Sequence, residues 1–252
     1  MSLKIKYEDL ENLKILIQKS KNTLVFLSEE ISHISGVPNY KMPHGLVDSP
    51  WQGIDNSRLL SFDFLLVHPQ IFYSWSKEVW YDLDKYKENQ VHKLIAELQK
   101  ESLITKVYTE SIDMLCQKAI IQDVVEINGN PSAFCLKCGK YFSYDKVSKF
   151  VHQNEVPYCD MCGTLLKSQV RLDEQVISKQ ELLKWKSDFI RCNLCILFGT
   201  PSSRDEIISL FNLLDFEKLI VISDKATPFD SKSYLKFNNI DKVVSFLEDS
   251  FI

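Results

Sequence analysis

Glycine is scarce in this chain: seven residues in 252, where about 7% is usual. Proteins that wrap a phosphate-rich cofactor use glycine turns to bring the backbone close to the ligand, so the deficit speaks against an ordinary glycine-rich phosphate cradle. Basic charge is not in excess either. Thirty Lys and Arg against 34 Asp and Glu leave a net charge of −4, which removes any general attraction to nucleic acid or to an anionic membrane. No apolar run is long enough to span a bilayer, and the first twenty residues carry charges throughout, so neither a membrane segment nor a signal peptide is expected. The five histidines are scattered and form no ligand-like pair.

What is present is a globular composition, 45% hydrophobic and 25% charged, in a chain long enough to bury on the order of 70–75% of its unfolded surface. One large domain with a smaller appendage fits that length. The most specific local pattern is a pair of C-x-x-C-G knuckles, Cys135-x-x-Cys138-Gly139 and Cys159-x-x-Cys162-Gly163, twenty residues apart. Each places two thiolates on one tight turn, and the pair has the spacing of a structural zinc ribbon. Four thiolates leave a metal no open position, so such a site holds structure and catalyses nothing. The alternatives are four unrelated buried thiols or two disulfides; the double spacing favours one structural zinc. Seven cysteines used this way suit a reducing cytoplasm. Cys192-x-x-Cys195 enters an apolar strand and reads as core, as does Cys116.

Strands alternate with helices along the chain. Thr23–Leu27, 103–108, 123–127, Leu194–Phe198 and Leu219–Ile222 read as strands. Helices are expected over 7–20, 91–98, 113–120, 178–186, 203–214 and 240–251, the fourth and fifth opened by the capping boxes Ser178…Glu181 and Ser203…Glu206. Residues 28–53 look irregular, and 54–90 read as aromatic-rich helical pieces. The alternation implies a mainly parallel, doubly wound sheet covered on both faces.

Six stretches, in order, resemble the sirtuin family of NAD-dependent protein deacylases. Leu24 to Lys41 (LVFLSEEISHISGVPNYK) is similar to V-V-L-T-G-A-G-I-S-x-x-S-G-I-P-D-F-R. Asn89 to His92 is similar to P-N-x-x-H, and Thr109-Glu-Ser-Ile-Asp113 stands where the family has T-Q-N-I-D. Glu126-Ile-Asn-Gly-Asn130 takes the place of E-L-H-G-S/N, Phe198 to Ser202 resembles I-G-T-S, and Val221 to Asp224 with Thr227-Pro228 resembles V-I-I-N. The resemblance implies a Rossmann-like large domain from residues 1–39, 90–131 and 168–252. It also implies a small domain from a helical insertion, 40–89, and a zinc-ribbon module, 132–167. It places Ser32, Tyr40, Ser111, Asp113, Gly199, Thr200 and Ser223 at cofactor-binding positions. An unknown protein partner or an acyl-lysine peptide, with NAD or ADP-ribose, would be the partners it implies.

The catalytic parts depart from the family. Its catalytic His, the base that takes a proton from the ribose, aligns with Asn128, whose amide takes none; losing a general base costs about 10²–10⁴ in rate. The Asn-Gly pair also suits a plain turn. The G-A-G turn becomes Ser28-Glu29-Glu30. A carboxylate about 4 Å from a phosphate costs about 1 kcal/mol in water and about 4 kcal/mol at an effective dielectric of 20, unless both Glu side chains turn to solvent. Asp113 fits a helix cap as well as a ligand role, and the peptide-pairing F-G-E strand is not recognisable in residues 170–174. Three readings follow. The first is a catalytically impaired homologue, a pseudoenzyme with an interaction or regulatory role. The second is an NAD-dependent deacylase or ADP-ribosyltransferase working without the His, and the third a binder of another adenine-containing ligand.

Overall fold

A computed structural model of the chain describes residues 5–38, 50–172 and 175–251. Helix α1 (Tyr7–Lys19) buries Leu10, Leu13 and Ile17, one turn apart on one face. It leads into β1 (Thr23–Leu27), all five residues of which are buried. The short helix α2 (Glu29–Ile34) lies in the stretch expected to be irregular. Three helices follow from the aromatic region, α3 (Asn56–Leu59), α4 (Phe62–Val67) and α5 (Pro69–Val79), then α6 (Gln90–Lys100), capped by Asn89.

Strand β2 (Lys106–Thr109), helix α7 (Leu115–Lys118) and strand β3 (Val124–Glu126) are each shorter than expected. The zinc-ribbon stretch forms β4 (Ala133–Cys135), β5 (Tyr141–Phe142), α8 (Tyr144–His152) and β6 (Leu166–Ser168). The Ser178…Glu181 capping box is formed, and its helix, α9 (Lys179–Arg191), runs five residues past the expected end. The rest is β7 (Leu194–Phe198), α10 (Asp205–Phe211), β8 (Leu219–Ile222), β9 (Leu235–Phe237) and α11 (Ile240–Phe251). The Ser203 capping box does not form. Helix α10 begins at Asp205 behind Arg204, which makes no side-chain cap.

The main sheet is six-stranded and parallel throughout, in the order β3-β2-β1-β7-β8-β9. Alternate side chains serve opposite faces. Val25, Leu27, Ile196, Phe198, Ile220 and Ile222 join α1, α6 and α11 in one core. Leu24, Phe26, Leu197, Leu219 and Val221 join α9 and α10 in another. Cys192 and Cys195 share that second core: Cys192 terminates α9 rather than lying in β7, so the two do not point to opposite faces as a single strand would require. A third core unites α3–α5 with the antiparallel β5-β4-β6 sheet. There Trp75, Trp80 and Phe142 share one core with Cys135 and Cys159. The aromatic region is therefore core, and it is welded to the cysteine module. Among the described residues no helix is long and apolar enough to cross a membrane.

Candidate active-site cleft

The strand order reverses between β1 and β7, the point at which a doubly wound sheet opens a crevice at its carboxyl edge. Here Ser28 follows β1 and Gly199 follows β7, joined by the Ser28 N–H donating to Phe198 O at 3.1 Å. Gly199 has φ +78°, and a Cβ on it would overlap Ser28 Oγ. Ser28 is fully buried, and its hydroxyl has no hydrogen-bond partner. A cleft of about 930 Å³ opens beyond this contact, walled by α2, the ends of β2 and β3, and the loops after β7 and β8.

Two carboxylates hold the backbone donors on the floor of this cleft. Glu30 turns inward, its side chain only 17% exposed. Its Oε1 lies 2.6 Å from Lys225 Nζ, and its Oε2 accepts the Thr200 N–H at 2.9 Å. Burial would raise its pKa, but the Lys225 ammonium and the Thr200 N–H outweigh burial and hold it below the usual carboxylate value. The expectation that both Glu side chains could turn to solvent fails for Glu30, because solvent offers neither partner. Glu110, 2% exposed, accepts the Ser202 N–H at 3.0 Å and the Ser202 hydroxyl. Burial pushes its carboxyl up against the pull of Ser202 and Arg204.

Asn128 lines the same cleft and donates from Nδ2 to the Glu110 carbonyl at 2.5 Å. The turn that carries it needs Gly129, with φ +74° and no room for a Cβ beside the Gln169 carbonyl. Arg171 pins the crossing strand: its N–H donates to Asn128 O at 2.9 Å, its Nε to Ile127 O at 2.8 Å, and its guanidinium pairs with Glu181 at 2.5 Å.

A side cavity of about 30 Å³ adjoins the cleft, with Ser32, His33, Ser111 and Asp113 among its walls. Ser32 and Ser111 hydroxyls meet at 2.6 Å. Asp113 serves the start of α7 with one oxygen only. Its Oδ1 accepts the Leu115 N–H at 2.9 Å and opens α7, while Oδ2 is buried without a partner. Burial lowers the pKa of His33, which keeps its imidazole neutral at neutral pH. A volume of about 30 Å³ suits a water or two.

In the cysteine module, the Sγ atoms of Cys135, Cys138, Cys159 and Cys162 lie within 4.8 Å of one another. The Cys135–Cys162 and Cys138–Cys159 distances are 3.4 and 3.6 Å, close to the roughly 3.8 Å edge of a tetrahedral Zn–S₄ centre with bonds of about 2.3 Å. Backbone N–H groups of Lys137, Cys138 and Met161 point at the sulfurs at 3.4 Å, as charge on thiolates requires. The donor set fits a structural zinc.

A model of the Sir2 family matches residues 30–204, more than two thirds of the chain. The chain belongs to the Sir2 family. This sirtuin is 28% identical over 229 residues to an NAD-dependent protein deacetylase of Thermotoga maritima, covering 88% of this chain and 90% of that one. It is 31% identical over 221 residues to NAD-dependent protein deacetylase 2 of Caldanaerobacter subterraneus, covering 86% of each. Among solved structures, one concerned with sirtuin substrate affinity superposes with a TM-score of 0.84 at 27% identity, covering 97% of this chain and 99% of that one. A Sir2 complex with a p53 peptide and NAD+ gives 0.76 at 26% identity, covering 96% and 98%.

Within the sirtuin fold, the residues that the resemblance placed at the cofactor fall as follows. Ser32, Ser111 and Asp113 line the side cavity, and Thr200 lines the cleft. Gly199 supports the floor against Ser28, and Ser223 Oγ lies 3.3 Å from Thr200 Oγ1. Tyr40 lies outside the described residues, as do Asp173 and Glu174 of the F-G-E position. Glu110, Arg204 and Lys225 line the cleft and escaped the sequence reading. The signal for Glu110 was present: an acid where the family's T-Q-N-I-D has an amide. As these residues stand, Glu30 and Glu110 already take the Thr200 and Ser202 donors that a phosphate entering this cleft would use.

Proposed function

We propose that this chain is a catalytically impaired sirtuin, zinc-stabilised, with an interaction or regulatory role through a protein partner. The observation that carries the reading is Asn128. It stands at the position of the family's base, cannot accept a proton, and spends its amide on the Glu110 carbonyl. We assign one structural zinc to Cys135, Cys138, Cys159 and Cys162, and divide the chain into the large and small domains expected above. When bound, zinc supplies folding free energy to its module and no chemistry.

The test is deacylation of an acetyl-lysine peptide with NAD. The expected result is no turnover for the unaltered protein, and none for Asn128→His alone. Asn128→His combined with Ser28→Gly, Glu29→Ala and Glu30→Gly should gain activity. Turnover by the unaltered protein refutes the reading, and activity of Asn128→His alone refutes the argument about the phosphate turn.

One observation favours the second reading, NAD-consuming transfer without the His. Asp113 Oδ2 is buried and lacks a donor, as a carboxamide-binding acid would be. Release of nicotinamide from NAD by the unaltered protein would establish that reading instead.

A further inference from the structure

We propose that Glu30 is a resident anion that sets the ligand class of the cleft: a diphosphate ligand enters only in exchange for it, while an uncharged nucleoside does not compete with it. The backbone at the carboxyl edge of a doubly wound sheet, where a strand turns through a glycine, offers N–H groups that suit an anion. In this chain the Thr200 N–H after Gly199 is such a donor, and Glu30 Oε2 already takes it at 2.9 Å. A counter-cation accompanies it, Lys225 Nζ at 2.6 Å from the other carboxylate oxygen. The carboxylate thus has a backbone donor and an ammonium, the two kinds of partner a bound phosphate would have.

The ends of this arrangement differ in what holds them. Glu30 is 17% exposed and Lys225 72% exposed, so the lysine reaches in from solvent and is free to follow whichever anion occupies the seat. Gly199 cannot retreat, because Ser28 backs it. Glu30 itself must therefore leave before a phosphate approaches Thr200. The ligand's own charge is repelled by the carboxylate until then. At about 4 Å that repulsion is worth from about fivefold in affinity with full water screening to several hundredfold at an effective dielectric of 20.

This inference rests on reading the cleft as a nucleotide crevice of the Sir2 type, and not on the absence of deacylation. Titration calorimetry tests it, using full-length zinc-loaded protein with ADP-ribose and with adenosine as the uncharged probe. Glu30→Ala frees Thr200 and Lys225 and should bind ADP-ribose at least fivefold more tightly than the unaltered protein, with adenosine affinity changed less than twofold. Lys225→Ala in the Glu30→Ala background should lose at least half of that gain, because Lys225 then serves the ligand. Glu30→Gln, which keeps an acceptor for Thr200 and is isosteric, should gain in the same direction and serves if the alanine variant does not fold. A gain below fivefold in the folded alanine variant, or no gain in the glutamine variant where only that one folds, overturns the proposal. So does an equal gain for adenosine. Calorimetry reads binding alone, so its failure leaves the deacylation result untouched, and the reverse.

Discussion

The contact between Gly199 and Ser28 makes a sharp thermodynamic test of how the cleft floor is built. Gly199→Ala forces a Cβ into a left-handed backbone, φ +78°, at about 1–2 kcal/mol. The same Cβ overlaps Ser28 Oγ in a fully buried position and comes within 3.2 Å of Glu30 Cβ and Oε2; overpacking of this kind costs about 1–3 kcal/mol. The sum is roughly 2–5 kcal/mol, a fall in melting temperature on the order of 5–15 °C for a chain of this size. Ser28→Gly alone should be mild, because it removes a buried hydroxyl that has no partner while adding chain entropy to the unfolded state. In the Ser28→Gly background the alanine should keep its backbone part and the tight approach to Glu30, and lose only the overlap with Ser28 Oγ. The double-mutant cycle, read by thermal and urea unfolding of zinc-loaded protein, should therefore give a coupling of about 1–3 kcal/mol. A coupling within about 0.5 kcal/mol of zero, the usual scatter of additivity, would mean that the two side chains do not share that space, and the account of the cleft floor would be wrong.

Chelating the metal, or replacing Cys159 by Ser, should unfold more than the ribbon. Cys135 and Cys159 sit in the same core as Trp75 and Trp80, so tryptophan emission should shift to the red together with loss of metal; unchanged emission in the metal-free protein would sever the two. Glu30 supplies a pH test. Its folded pKa is lowered, so its contribution to stability is complete above the unfolded value of about 4.3 and is lost as pH falls through the lower folded value. Glu30→Gln should flatten the acid limb of the melting-temperature profile between about pH 5 and 3; an unchanged limb would show that the Lys225 and Thr200 contacts are not formed. The opposite shift of Glu110, raised by burial, means that its protonation adds stability as pH falls, so Glu110→Gln should leave that acid limb at least as steep. Finally, Gly129→Ala should collapse stability by several kcal/mol through the Gln169 carbonyl, where Gly139→Ala, with nothing within 4 Å of a Cβ, should cost only the left-handed backbone term of about 1–2 kcal/mol.

Much of the scaffold was legible because the parallel strands are short apolar runs buried on both faces, as in Thr23–Leu27 and Leu194–Phe198. The cysteine spacing was legible because each knuckle is closed within four residues. What escaped depends on contacts remote in sequence. The Ser203 capping box reads well locally, yet Ser202 is drawn onto Glu110, 92 residues away, and the helix starts later. Helix α2 has six residues, too few to display a period, and β9 has three. The Glu30–Thr200 bond spans 170 residues, so the sequence showed two acids where an alanine and a glycine were expected and could not show which way they turn.

The substitutions on the cleft floor are matched to one another, and that bears on what the site is for. Burying a carboxylate without a partner costs several kcal/mol, so unconstrained replacements at 28–30 and 110 would leave unpaired charge behind them. Glu30 has instead an ammonium and a backbone donor, Glu110 has the N–H and hydroxyl of Ser202, and the Ser28 side chain fills the space that Gly199 leaves. Among the described residues, three polar groups around the cleft remain buried without partners, namely Ser28 Oγ, Asp113 Oδ2 and one guanidinium nitrogen of Arg204. They want, respectively, a hydroxyl partner, a donor and an acceptor. A ligand that meets Asp113 with an N–H and Arg204 with an oxygen, while leaving the Glu30 seat alone, satisfies the cleft as it stands; one that brings a diphosphate must first unmake the Glu30–Lys225 pair. On the proposed reading Glu30 acts before Asn128 is reached, so restoring a base at 128 without clearing residue 30 should leave the cleft closed to NAD.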